Sequence, residues 1–181
     1  RSCSSSASLR GGHPVHVLVI TGAPGSGKTS VLTALMGLLE ADDVRFAAME
    51  VESLALVHPW PDDDAAFDHL AYVAESFRRR GYPSLFLTAT VEGPEYLRRM
   101  LDAIPSDDVM LVRLTAPPVL LRERITRREP ADWVGLPRLI ETLETLSNSI
   151  GALPGVALEL STEDADPRTV AAALRDALPA S

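Results

Sequence analysis

Cysteine is almost missing from this sequence: Cys3 is the only one among 181 residues. A single thiol forms no internal disulfide and builds no cysteine-based metal cage, which fits a reducing cytoplasm. Long apolar runs are missing too; none approaches the roughly 20 residues that cross a bilayer. Positive charge is short, with 17 Lys and Arg against 25 Asp and Glu, giving a formal net charge of −8. A general nucleic-acid binder needs a basic face, so neither nucleic acid nor membrane is an expected partner. What is present is ordinary for a globular protein, 46% hydrophobic and 23% charged, and the length suits one domain with a sizeable core.

Residues 1–14 read apart from the rest. Ser2, Ser4, Ser5, Ser6 and Ser8 crowd around Cys3, Gly11 and Gly12 follow, and no Met opens the chain. This is the composition of a flexible tail or an expression remnant, without the apolar core of a secretion signal. The folded unit is expected over 15–181 as a single domain.

From there strands and helices alternate. Val15–Thr21 is an apolar run of β-formers, suited to a strand buried on both faces. Gly22–Gly27 breaks it, and Lys28–Glu40 has helical apolar spacing at Val31, Leu35, Leu38 and Leu39. Val44–Val51 reads as a second strand. A Pro- and Asp-rich loop follows, and its Asp62-Asp63-Asp64 run can cap a helix reaching Arg80 and stopped by Gly81. Ser84–Val91, Val109–Leu114 and Val156–Leu160 are further strands. Helices are expected after Pro94, over Pro117–Arg128, over Leu136–Ile150 and after Asp166-Pro167. Alternation of this kind makes a parallel sheet covered by helices on both faces, an α/β fold with five strands.

Gly22-Ala23-Pro24-Gly25-Ser26-Gly27-Lys28-Thr29 matches the phosphate-binding pattern G-x-x-x-x-G-K-[ST] at every specified position, between a buried strand and a helix. Glycines let the backbone wrap an anion with several N–H groups pointing inward. The helix adds its positive end, where Ser30 follows the motif. The Lys28 ammonium reaches the β- and γ-phosphates, and the Thr29 hydroxyl ligates Mg²⁺. The expected ligands are therefore ATP or GTP with Mg²⁺. The lack of an Asn-Lys-x-Asp guanine motif tilts the choice to ATP.

On this loop and its flanking pattern the chain resembles the small P-loop kinases, such as shikimate, gluconate and nucleoside monophosphate kinases. The resemblance spans residue 15 to the end. It implies strand order 2-3-1-4-5 in a three-layer sandwich. It implies acidic residues at the end of the second strand, here Glu50 and Glu52, touching the acceptor or Mg²⁺. We assign Glu52 to the acceptor and Glu50 to the metal beside Thr29. An arginine pair four apart after the fourth strand matches Arg124 and Arg128, and a short lid is expected over about 122–135. The loop after the fifth strand, which cradles adenine in such kinases, is Ser161-Thr162-Glu163-Asp164. One feature departs from the pattern: Leu85–Thr90 carries no acid, so the usual metal-holding carboxylate after the third strand has no occupant. The expected function is transfer of the ATP γ-phosphoryl group to a small-molecule hydroxyl or phosphate acceptor, with Lys28, Glu52, Arg124 and Arg128 in catalytic roles. The alternative is a nucleotide-binding or slowly hydrolysing switch. His58 and Trp60 lie near the acceptor in this reading but are more simply loop-packing residues. Arg122, Arg127, Arg98 and Arg99 read as solvated helix charges. His13, His16 and His69 show no ligand spacing.

Overall fold

Large aliphatic side chains point to both sides of the first strand, and this decides the layering. The computed structural model describes residues 16–56, 58, 63–104, 106 and 108–179, with the side chains of Asp63 and Asp64 left aside. The 1–14 tail, His13 and Trp60 lie outside the described residues, and so do the side chains expected to cap the second helix.

The elements run β1 His16–Gly22, α1 Lys28–Ala41, β2 Ala47–Glu50, a 3₁₀ turn Val51–Ala55, α2 Asp63–Arg79, β3 Ser84–Ala89, α3 Pro94–Asp102, β4 Asp108–Thr115, α4 Pro118–Arg128, α5 Leu136–Gly151, β5 Val156–Ser161 and α6 Pro167–Ala177. The strands form one sheet of order β2-β3-β1-β4-β5, and every pairing is parallel. On β1, Val17 and Val19 enter one core with residues of α2, α3, α4 and α5. Leu18 and Ile20 enter the other core with α1 and α6. The two-residue alternation of a strand produces this split, and burial on both faces explains why the run is continuously apolar.

The second strand is shorter than the expected Val44–Val51, covering only Ala47–Glu50. It sits at the sheet edge and pairs with β3 alone. Val44 and Phe46 pack into the core ahead of the ladder, and Phe46 stacks on Phe86 at a centroid distance of 5.4 Å. Their apolar character thus serves packing, not pairing. Val51 is buried and opens the 3₁₀ turn, which carries Glu52. Two residues apart at the end of one strand, Glu50 and Glu52 are expected to share a face; the turn ends that alternation, and they do not. Elsewhere the boundaries agree with the sequence reading to within two residues. Asp166 caps α6 by accepting from the backbone N–H groups of Arg168 and Thr169. Arg98 pairs with Glu95 and Asp102 on the surface of α3, whereas Arg99 is half-buried over the Phe67 ring at 5.3 Å. No helix among the described residues is long and apolar enough to cross a membrane.

Candidate active site

The turn between β1 and α1 needs backbone angles that most side chains resist. Gly25 and Gly27 hold φ of 82° and 90°, in the left-handed region. A Cβ on Gly25 would also lie 2.7 Å from the Leu121 carbonyl oxygen, so α4 packs directly against the loop. The loop leaves the N–H groups of Gly25, Gly27, Lys28 and Thr29 without a protein acceptor among the described residues. Unpaired N–H groups at the positive end of a helix make an anion site. Gly25→Ala should cost about 1–2 kcal/mol from the backbone conformation alone, with more from the collision with α4. Gly37→Ala is the opposite case, an exposed position inside α1 where an added Cβ meets nothing within 4 Å. It should stabilise by about 0.5–1 kcal/mol. Urea unfolding of the two variants reads both signs, and equal midpoints would show that the loop backbone relaxes freely.

Lys28 is the only lysine in the sequence. Its Nζ donates to the Gly22 carbonyl at 2.9 Å and more weakly to that of Ala23 at 3.5 Å. Burial pushes its pKa down from 10.5 to about 8; the Glu52 and Glu50 carboxylates oppose the shift and Arg128 adds to it. The unfolded lysine holds more protons than the folded one between these two values. The cost of burying its charge is therefore fully present below pH 8 and fades as pH rises toward 10.5. Ligand binding runs the other way. Below pH 8 the ammonium is ready for phosphate, and above it binding must take up a proton. Nucleotide affinity should be flat near pH 7 and then fall toward about tenfold per pH unit above pH 8. Calorimetry across this range checks it. Lys28→Arg, whose guanidinium stays charged, should show no such fall.

Two chambers open from the loop and meet over Gly25, Gly27, Ser30 and Arg128. One, of about 350 Å³, adds Arg124, Thr162 and the apolar Val31, Ala165, Pro167 and Val170. The other, of about 460 Å³, adds Pro24, Lys28, Thr29, Glu50, Glu52, Thr88, Thr90 and Leu139. The loop thus stands between a mostly apolar room and an acidic one, and a phosphoryl group held by it faces both.

Glu52 reaches the acidic chamber through a contact the sequence did not suggest. Its Oε1 accepts from the Thr90 backbone N–H at 2.6 Å. A carboxylate thus stands just past the end of β3, brought there by the neighbouring 3₁₀ turn. Glu50 lines the same chamber from the last position of β2.

The arginines divide. Arg124 is held inward, donating to the Thr162 hydroxyl at 2.9 Å, the Thr162 carbonyl at 2.6 Å and the Gly25 carbonyl at 3.3 Å. It ties α4 to the phosphate loop and to the loop after β5, on the side of the apolar chamber. Arg128 lines both chambers and pairs with the adjacent Glu129. Arg122 and Arg127 are exposed and line neither chamber. Ser161 and Thr162 also part ways. Thr162 is buried, and its backbone N–H donates to the Thr115 carbonyl at 2.8 Å. Ser161 accepts from the Glu163 N–H and lines neither chamber. Within the loop, the Ser26 hydroxyl is turned under the backbone, fully buried and without a partner among the described residues. Ala23 is in the core, so side chains at 23 and 26 stay away from a bound phosphate. His16 pairs with Asp108, and His69 donates to the Leu54 carbonyl. His58 is exposed.

Thr88, Thr90 and Leu139 were not foreseen in the acidic chamber. The two threonines alternate at the carboxyl end of a parallel strand, where ligands of such sheets bind, so a signal was present. Leu139 gave none. A third cavity, of about 220 Å³, lies at the opposite ends of the strands beside His16 and Asp108 and touches none of the phosphate loop.

A family model described as an AAA domain matches residues 17–145. No match among curated proteins reaches significance. Solved structures match along nearly the whole chain. A sugar kinase from Janibacter sp. HTCC2649 is 19% identical, with 90% of this chain and 94% of that one covered and a TM-score of 0.62. The Mycobacterium tuberculosis APS kinase in complex with AMPPNP and APS is 18% identical, with coverage of 91% and 97% and a TM-score of 0.62. The Acinetobacter baumannii shikimate kinase in complex with shikimate is 17% identical, with coverage of 92% and 96% and a TM-score of 0.53. The fold is that of the small P-loop kinases.

Proposed function

Since this chain belongs to the AAA domain family, we propose that it is an ATP- and Mg²⁺-dependent phosphotransferase acting on a small molecule. One observation carries the reading: the phosphate loop shares a chamber with Glu50 and Glu52, so a γ-phosphoryl group and a carboxylate base face the same space. On this reading the nucleoside occupies the apolar room, and Arg124 holds that room's walls together. The loop N–H groups and Lys28 bind the phosphates. Arg128, at the junction, balances charge that builds on the phosphoryl oxygens.

The acceptor hydroxyl lies against Glu52. Its oxygen forms a new bond to the γ-phosphorus as the bond from that phosphorus to the bridging oxygen breaks. The electron pair leaves with ADP, and the hydroxyl proton passes to the Glu52 carboxylate. Magnesium, when bound, would neutralise charge on the phosphates. The donors that would hold it are the Thr29 hydroxyl and Glu50, both in the chamber and both oxygen ligands as Mg²⁺ prefers. No group of three or more metal-ligating side chains forms among the described residues. The donors present therefore fit an ion held mainly by phosphate oxygens and water. We propose the cytoplasm, where ATP and Mg²⁺ are plentiful, as the place of its work. The test is ADP release with and without candidate acceptors. Acceptor-dependent release supports transfer, whereas the same slow release with every compound would support a hydrolysing switch.

A further inference from the structure

We infer that the acceptor carries no anionic group: it is a neutral or cationic polyhydroxy compound, such as a polyol or an amino sugar. This rests on the phosphotransfer reading above and narrows it. Charge decides it. Among the described residues the acidic chamber holds two cations, Lys28 and Arg128. Both stand on the phosphate side: Lys28 curls over the loop carbonyls, and Arg128 lies where the two chambers meet. Apart from Gly25, Gly27, Thr29 and Ser30 of the loop, which face the phosphates, the rest of the lining is Glu50, Glu52, Thr88, Thr90, Pro24 and Leu139. No guanidinium or ammonium of that lining is left to pair with a carboxylate or phosphate on the acceptor. Magnesium-bound ATP still brings net negative charge, and Lys28 and Arg128 are taken up in offsetting it.

An anionic acceptor would have to lie beside two carboxylates without a fixed counter-charge, a repulsion that desolvation strengthens. A hydroxyl or ammonium meets the reverse. Glu52 spends one oxygen on the Thr90 N–H. Its other oxygen remains for donors, and so does the Glu50 oxygen that magnesium would leave free, since Glu50 accepts no hydrogen bond among the described residues. The Thr88 and Thr90 side chains add hydroxyls that donate or accept. The chamber therefore offers mostly acceptors, and a donor-rich ligand matches it. The solved kinase complex with shikimate holds a carboxylate-bearing ligand, so this assignment separates the present chain from that neighbour.

The experiment presents hexose, pentose and cyclitol scaffolds in matched neutral, amine, carboxylate and phosphate forms. Binding is measured by calorimetry to the full chain loaded with Mg²⁺ and a non-hydrolysable ATP analogue, and ADP release is followed in parallel with ATP. Neutral or amine forms should bind at least about tenfold more tightly than their anionic counterparts. The Glu50→Gln/Glu52→Gln double variant should shrink that ratio to within about threefold, which a merely structural role of the two residues would not do. Anions that bind as tightly as their counterparts, a ratio unchanged in the double variant, or no binding by any form would each overturn the assignment. Charge-selective binding without ADP release would uphold the chamber's preference while overturning phosphotransfer.

Discussion

Lys28→Ala should abolish stabilisation by nucleotide while leaving the empty protein as stable as before, or slightly more so. The two halves of this expectation come from one fact. The ammonium is buried against its preference, its pKa held down near 8, so removing it relieves the empty fold of a desolvated charge. Among the described residues the same ammonium is the one side-chain cation that donates to two carbonyls of the phosphate loop, and on the proposed reading it bridges the phosphates. A ligand at one hundred times its dissociation constant stabilises by about 2.7 kcal/mol. For a chain of this size that is a rise in melting temperature of roughly 5–10 °C. The wild type should show such a rise with MgATP, and Lys28→Ala close to none at the same concentration. A matched rise in the variant would mean that the loop is not the nucleotide site. Since no other lysine exists in the chain, an amine-reactive reagent gives a second readout. Its rate at the side chain should climb through pH 8 in the empty protein and drop when nucleotide covers the loop.

Much of the architecture was legible because periodicity and punctuation agreed. Continuous apolar runs marked strands buried on both faces, and Pro94, Gly81 and Gly151 fell at helix ends. The phosphate loop was legible because its function needs fixed residue types at fixed spacing. What escaped depended on contacts between distant parts. Val44 and Phe46 look like strand residues, but their partners are in the core and not on a ladder. Arg124 looked like a mobile catalytic cation. It is held by Thr162, 38 positions away, and by Gly25, 99 positions away, and no local pattern encodes such partners. Glu52 was read as the second member of a strand pair. Its true setting, a 3₁₀ turn docked on the end of β3, brings an acid to a strand end that carries none of its own. That lack and that supply are one feature seen from two sides, and only the sheet order β2-β3 brings them together.

Glu52→Gln should cut acceptor-dependent turnover by about 10²–10⁴ while leaving nucleotide affinity at neutral pH within a few-fold of wild type. That range is the usual worth of a positioned acid–base group. The substitution is well suited to the question because the glutamine carbonyl can keep accepting from the Thr90 N–H, the contact that fixes the side chain at 2.6 Å. Shape and anchoring survive, and only the negative charge and the proton-accepting oxygen are lost. A further consequence ties the two halves of the site together. The Glu52 carboxylate is the foremost group holding the Lys28 pKa up against burial. Without it the lysine should titrate lower than about 8, and nucleotide affinity should begin to fall at a correspondingly lower pH. Reading both effects in one variant distinguishes three roles. Lost turnover with retained affinity and a lowered lysine titration is the signature of a base facing the γ-phosphate. Wild-type turnover with a known acceptor would make Glu52 no more than a charge at the chamber rim. Loss of MgATP binding at neutral pH, restored by excess Mg²⁺, would instead assign it to holding the metal and remove it from proton transfer.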